Sequence, residues 1–237
     1  MKVSTHFETC KIAKNFGRTK ALLNIDLQCL PGESIILLGP NGSGKTTLLK
    51  ILALLMQPSS GLLCIDGEKT PIHSLHKKKI IGYCGHSPFL YQDLTVSENL
   101  LFFAKLYELA HPEKQVLSIL QEFNIEDQCH RPVRTLSKGQ QQRINLARVF
   151  LHHPLILILD EPYTHLDFKS SSLLTERLMK HRLEGGSLIL STHQIELGET
   201  IGTHWLILHG GEIFFQNQVK STPPSEVVKI YKKMDSQ

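Results

Sequence analysis

Residues Ser34–Leu38 are apolar after the opening serine and run directly into a glycine-rich stretch. Beyond it, residues 45–56 carry apolar side chains at helical spacing, which predicts a helix buried on one face. Strand, loop and helix in that order open an α/β unit. The runs 62–66, 80–84, 155–159 and 187–191 are again almost continuously apolar. Strands without polar alternation are covered on both faces, so these runs predict a mostly parallel sheet. Ahead of them, residues 7–13, 22–30 and 34–38 read as three antiparallel segments, with Pro31-Gly32 turning the chain between the second and third.

Between Pro88 and His153 the period becomes helical. Residues 97–109 open on a serine cap, residues 112–123 have proline in the first turn, and residues 137–152 place Ile144, Leu146, Ala147, Val149, Phe150 and Leu151 behind a serine start. This block predicts a helical subdomain inserted into the core. Residues 205–215 read as a hairpin turning at Gly210-Gly211, and Pro224–Met234 as a terminal helix. The partition is one domain over 1–237: an antiparallel β segment at 1–33, a core at 34–87 and 154–237, and helices at 88–153.

Composition narrows the class without changing the picture. The 237 residues suffice for one core with an inserted subdomain, and 41% hydrophobic with 20% charged content is ordinary for a soluble globular chain. A formal charge of +4 is too small and dispersed to imply a nucleic-acid partner. Lys77-Lys78-Lys79 reads as a solvated helix or turn face. Five cysteines (Cys10, Cys29, Cys64, Cys84 and Cys129) lie far apart with no Cys-x-x-Cys pair. That argues against a disulfide framework or structural zinc and suits a reducing compartment. Met1 to Gly17 lacks an apolar stretch behind a basic end, and no apolar run approaches the ~18 residues needed to cross a bilayer. The expectation is a cytosolic chain that reaches a membrane through a partner.

The chemistry is concentrated in three places. Gly39-Pro40-Asn41-Gly42-Ser43-Gly44-Lys45-Thr46 fits G-x-x-x-x-G-K-[ST] in full. Glycines let backbone N–H groups curl around phosphate oxygens, and the following helix points its positive end at them. Lys45 then reaches the β- and γ-phosphates and Thr46 ligates Mg²⁺. Asp160 and Glu161 follow the buried run 155–159, beside the phosphate loop if the sheet is parallel. Asp160 is placed to hold Mg²⁺, directly or through water, and Glu161 to deprotonate the attacking water. His193 follows the run 187–191 in the same way and is placed for the γ-phosphate. None of the 13 histidines shows His-Glu-x-x-His or another metal-ligand spacing, so no transition metal is expected.

At Leu136-Ser137-Lys138-Gly139-Gln140 the chain resembles the signature of the ATP-binding cassette (ABC) family, and the resemblance covers nearly its whole length. In family order, Phe16 resembles the aromatic that stacks on adenine, and Gly39 through Thr46 and Thr47 the Walker A loop. Residues 155–161 resemble the Walker B strand, residues 163–167 (ending at Asp167) the D-loop, and His193 the switch histidine. The resemblance implies an α/β P-loop NTPase fold of ABC type: a mostly parallel core sheet, an N-terminal antiparallel β subdomain and an inserted α-helical subdomain. It implies ATP hydrolysis with Mg²⁺, and head-to-tail pairing as a homodimer or with another ABC subunit. In such a pair, Ser137 and Gly139 address the γ-phosphate of the opposite ATP, with Gln140 beside them.

Two positions depart from the family pattern. His86 stands where glutamine usually senses Mg²⁺ and the permease, and Lys138 replaces the commoner first glycine of the signature. A neutral imidazole can still bond a water, so His86 implies altered, pH-sensitive coupling. Gly85-His86 before Pro88, with Asp160-Glu161-Pro162-Tyr163-Thr164, resembles the ATP-binding subunits of haem exporters in cytochrome c maturation. The resemblance thus implies a motor on the cytoplasmic face of the inner or plasma membrane. It would dock an integral permease through a groove around residues 86–96. Export of drugs, lipids or polysaccharides, and a soluble ATPase of iron–sulfur assembly type, stay open beside it.

Overall fold

The structure, a computed structural model, describes residues 6–234. The outer ends of the 1–33 and 154–237 segments, and the first part of the stretch read for a signal peptide, lie outside the described residues. Two long strands, β1 (Phe7–Phe16) and β2 (Thr19–Cys29), come first. Strand β3 (Ser34–Leu38) leads through the glycine loop into helix α1 (Lys45–Leu52), followed by β4 (Ser60–Ile65), β5 (Glu68–Lys69), α2 (Leu75–Lys79) and β6 (Ile81–Cys84). Helices α3 (Val96–Leu106), α4 (Pro112–Glu122) and α5 (Lys138–Phe150) precede β7 (Ile156–Asp160) and α6 (Phe168–Leu183). The chain continues through β8 (Ser187–Ser191), α7 (Leu197–Ile201), β9 (His204–His209), β10 (Glu212–Gln218) and α8 (Pro224–Met234).

A six-stranded sheet in the order β10-β9-β3-β8-β7-β6 is parallel except for β10, which closes one edge antiparallel to β9. A second sheet, β2-β1-β4-β5, is antiparallel throughout. Strands β3, β7 and β8 are buried at every position because successive side chains serve two different cores. Ile36, Leu157, Leu159, Leu188 and Leu190 pack with the helices, while Ile35, Leu37, Ile156, Ile158 and Ile189 pack under α1 and the antiparallel sheet. Burial on both sides removes the polar alternation that a half-exposed strand shows.

Several expectations are corrected. Ser34–Leu38 does not extend the antiparallel opening; it pairs in parallel with β8 and β9. The run 62–66 is not in the parallel sheet: it lies in β4, against β1, and Leu62 stays exposed because only one side of that strand is covered. The first helix ends at Leu52 rather than Met56. Helix α3 is capped by Thr95, not Ser97. Glu98 stands three residues after Thr95 and completes a capping box, whereas Leu100 follows Ser97 and cannot. Lys77 is buried and paired with Asp66 at 3.3 Å and Glu68 at 3.2 Å, so the lysine run is not a wholly solvated face. No helix among the described residues is long and apolar enough to cross a membrane.

Trp205, the single tryptophan, is fully buried and donates its indole N–H to the Thr222 carbonyl at 2.9 Å. A Cβ on Gly198 would come within 1.6 Å of that ring. Gly198→Ala should displace the indole and cost about 1–3 kcal/mol. The expected readout is a lower urea midpoint with tryptophan emission moved to longer wavelength.

Candidate nucleotide site

Strands β3, β8 and β7 lie side by side, so the residues beyond their carboxyl ends converge at one place. The loop after β3 is held by glycine where the backbone demands it. Gly39 has φ 149°, and a Cβ there would meet the Leu208 carbonyl at 2.4 Å and Ser43 Oγ at 2.6 Å. Gly44 caps α1 without a side chain, so no side-chain acceptor takes up the first N–H groups of the helix. Residues 40–47 line an open cleft of about 490 Å³ together with His86, Asp160, Glu161, Thr164 and His193.

Within the cleft, Lys45 folds back on its own loop, donating to the Gly39 carbonyl at 2.7 Å and the Pro40 carbonyl at 3.1 Å. Burial lowers its ammonium below the usual lysine value, against the pull of Glu161 and Asp160. Asp160 is buried with both oxygens engaged. Thr46 Oγ1 donates to Oδ2 at 2.7 Å and Ser191 Oγ donates to Oδ1 at 2.6 Å. Glu161 lies in the left-handed backbone region at φ 50°, its N–H shared between Ser191 Oγ at 3.0 Å and the Ser191 carbonyl at 3.2 Å. Its Oε1 is 3.3 Å from His193 Nε2, near enough for Coulombic attraction but out of hydrogen-bond alignment. Burial raises the Glu161 carboxyl above the usual carboxylate range, with His193 and Lys45 opposing that rise.

The donor set fits a polyphosphate and a hard divalent cation. Ser43 Oγ and Glu161 Oε1 are buried without hydrogen-bond partners, which leaves polar capacity for a ligand. No group of three or more His, Cys, Asp or Glu gathers among the described residues as it would for a protein-caged metal. A hydroxyl and one carboxylate suffice for Mg²⁺, which keeps waters and takes oxygens from the substrate.

Other residues singled out from the sequence do not line this cleft. Phe16 is half exposed at the end of β1, with the Lys14 ammonium 5.2 Å from its ring centroid. Ser137 caps α5: its Oγ accepts from Gln140 N–H at 3.3 Å, and Gln140 Oε1 accepts from Ser137 N–H at 2.9 Å. Asp167 caps α6, accepting from Ser170 N–H at 2.8 Å, which holds its carboxyl below the usual range. Gly139 packs against the main chain of His165, where a Cβ would come within 2.7 Å of the carbonyl oxygen. Lys138 is exposed and shares a smaller cleft of about 290 Å³ with His86, Glu161 and His165. Sequence reasoning gives Ser191 no role in the site and takes Thr164 as part of the D-loop run, whereas the structure places Thr164 on the cleft wall. The available signal for Ser191 was a hydroxyl ending an apolar run two residues before His193.

The chain matches the ABC transporter family over residues 22–164. It is 33% identical to the ABC transporter ATP-binding protein NatA of Bacillus subtilis over 210 residues, 87% of this chain and 85% of that protein. It is 32% identical to the Nod factor export ATP-binding protein I of Cupriavidus pinatubonensis over 230 residues, 94% of this chain and 71% of that protein. Among solved structures, the dimeric post-hydrolysis ATP-binding cassette MJ0796 with ADP and Pi superposes with a TM-score of 0.82 at 28% identity, covering 90% of this chain and 98% of that one. The chain belongs to the ABC transporter family, as an ATP-binding motor subunit whose ATP hydrolysis is coupled to transport.

A carboxyl whose value is raised by folding favours the folded state most when protonated. Its stabilising effect is complete below the ordinary glutamate value of 4.5 and is lost as pH rises through the elevated folded value. Nucleotide-free Glu161→Gln should therefore melt above the parent at pH 8, and the gap should close as pH falls toward 4.5. A thermal-shift series across that range measures it.

Proposed function

We propose that this chain powers export, working as one of two head-to-tail ABC subunits docked on an integral membrane permease. The observation carrying the pairing is the division of the site. Lys45, Thr46, Asp160 and Glu161 line the cleft, while Ser137, Gly139, Gln140 and Asp167 do not. A complete site then takes its second half from another chain, a reading supported by the dimeric state of MJ0796 with ADP and Pi. Ser137 and Gly139 stand at the start of α5, where a helix N-terminus favours an anion.

In this reading the loop amides from Gly39 to Thr47 and Lys45 hold the β- and γ-phosphates, and Thr46 and Asp160 hold Mg²⁺. When bound, the cation would supply positive charge against the phosphates. Glu161 takes the proton of the attacking water, and its raised carboxyl value brings it closer to the pH at which it must accept one. His193 bonds the γ-phosphate. His86, on the cleft wall, holds a water near the metal in place of the usual glutamine. Phe16 stacks on adenine from the exposed end of β1.

Docking on a permease is supported by a second cleft of about 490 Å³ between β6, α3 and α5. Phe89, Tyr91, Phe102 and Leu106 line it and are 41–59% exposed, with Arg148 buried beneath Phe89 and Phe103. Exposed aromatics around a concave surface suit an apolar helix of a partner. The chain would thus lie on the cytoplasmic face of the inner or plasma membrane. Export is supported by the Nod factor relative. A second reading, haem as cargo, rests on Gly85-His86 and the position of His86 on the catalytic cleft.

With ATP and Mg²⁺, Glu161→Gln should elute as a dimer and revert to monomer with ADP, its turnover down at least about a hundredfold. Lys45→Ala should neither pair nor hydrolyse. A monomeric Glu161→Gln at saturating ATP defeats the pairing. Purification from membranes in mild detergent should bring an integral partner along, and recovery from the soluble fraction alone defeats the docking.

A further inference from the structure

We infer that Ser191 is a positioning residue for hydrolysis, one hydroxyl that sets both acidic side chains at once. The inference rests on the roles proposed above for Asp160 and Glu161. Ser191 is fully buried at the last position of β8 and faces Asp160 in the register with β7. Its Oγ gives its single proton to Asp160 Oδ1 at 2.6 Å and uses a lone pair to accept the Glu161 N–H at 3.0 Å. A hydroxyl has one proton and two lone pairs, so the two bonds coexist without competition.

Each bond restrains a different freedom. Asp160 Oδ2 is held by Thr46, whose hydroxyl is also the side chain offered to Mg²⁺. With Thr46 given over to a metal, the Ser191 bond at Oδ1 would remain to stop the carboxylate rotating and would leave Oδ2 free for the cleft. Glu161 occupies a left-handed backbone conformation that side-chain-bearing residues rarely adopt. Its N–H reaches the Ser191 carbonyl only at 3.2 Å, so the hydroxyl at 3.0 Å is the shorter tether. Residues that orient a metal ligand commonly change metal affinity or activity by about 10–100-fold when removed.

The test uses the full chain as Ser191→Ala, Ser191→Thr, Asp160→Asn and Glu161→Gln. Trinitrophenyl-ATP binding is measured in EDTA and in Mg²⁺, ATPase turnover across a Mg²⁺ titration, and melting without nucleotide. Ser191→Ala should lower kcat about tenfold and raise the Mg²⁺ requirement several-fold. The gain in nucleotide affinity on adding Mg²⁺ should shrink, while binding in EDTA matches the parent and the melting temperature falls by only a few degrees, as loss of one buried hydroxyl requires. Ser191→Thr should recover most of both losses. Parental turnover and Mg²⁺ dependence in Ser191→Ala overturn the inference. So does a loss shared by EDTA binding and melting that threonine leaves unrepaired. If Asp160→Asn and Glu161→Gln are inactive while Ser191→Ala is parental, this inference alone fails; if those two keep turnover, the underlying roles fail.

Discussion

A hydrogen bond of 2.7 Å from Thr46 to Asp160 joins the phosphate loop to the acid-bearing strand. It links the first turn of α1 to the end of β7, which are 114 residues apart in sequence, and so aligns the phosphate loop with the acidic side chains. Bonds to a charged acceptor contribute about 1.5–3 kcal/mol, too little to hold two elements in place unaided. The sheet supplies the rest. Strand β8 separates β3 from β7, and all three are locked by side chains entering cores on both faces. The bond therefore fine-tunes a register that packing has already set.

The formal charges of Lys45, Asp160 and Glu161 leave one negative excess in the cleft, which disfavours a bare polyphosphate. The helix end behind the loop and a divalent cation offset that repulsion. Lys45 meanwhile satisfies itself on the Gly39 and Pro40 carbonyls. A phosphate must exchange those contacts for its own, so the loop keeps its shape while its cation waits folded against it.

Much of the site was legible because its requirements are local. Eight consecutive residues define the phosphate loop, and two-sided burial makes β3, β7 and β8 readable as apolar runs. What escaped depends on distant partners or sparse signals. Strand β4 resembles a core strand until its pairing with β1 is known. Lys77 owes its burial to Asp66 and Glu68, carried by the β4–β5 turn and β5. Helix α6 buries only Ser170, Leu174 and Leu178 across sixteen residues, one contact per turn amid serines and charges. The Thr95 cap is signalled in the sequence by Glu98 three residues on, while Ser97, the serine two residues later, has Leu100 at that spacing. Phe16 entered through family resemblance, and its exposed place outside the phosphate cleft follows from no local pattern.

Helix α5 has a mechanical consequence. Near its carboxyl end, Arg148 is pinned to the Tyr83 carbonyl at 2.8 Å and to Asn145 Oδ1 at 2.9 Å, beside the aromatic hollow. At its amino end, Ser137 closes a reciprocal cap and Gly139 rests on the main chain of His165. Eleven residues of helix between Ser137 and Arg148 make a rod of roughly 16 Å. A tilt of about ten degrees at the hollow swings the far tip through ~3 Å, about the length of a hydrogen bond. Leverage of that size is enough to make or break a contact at the tip without bending anything in between.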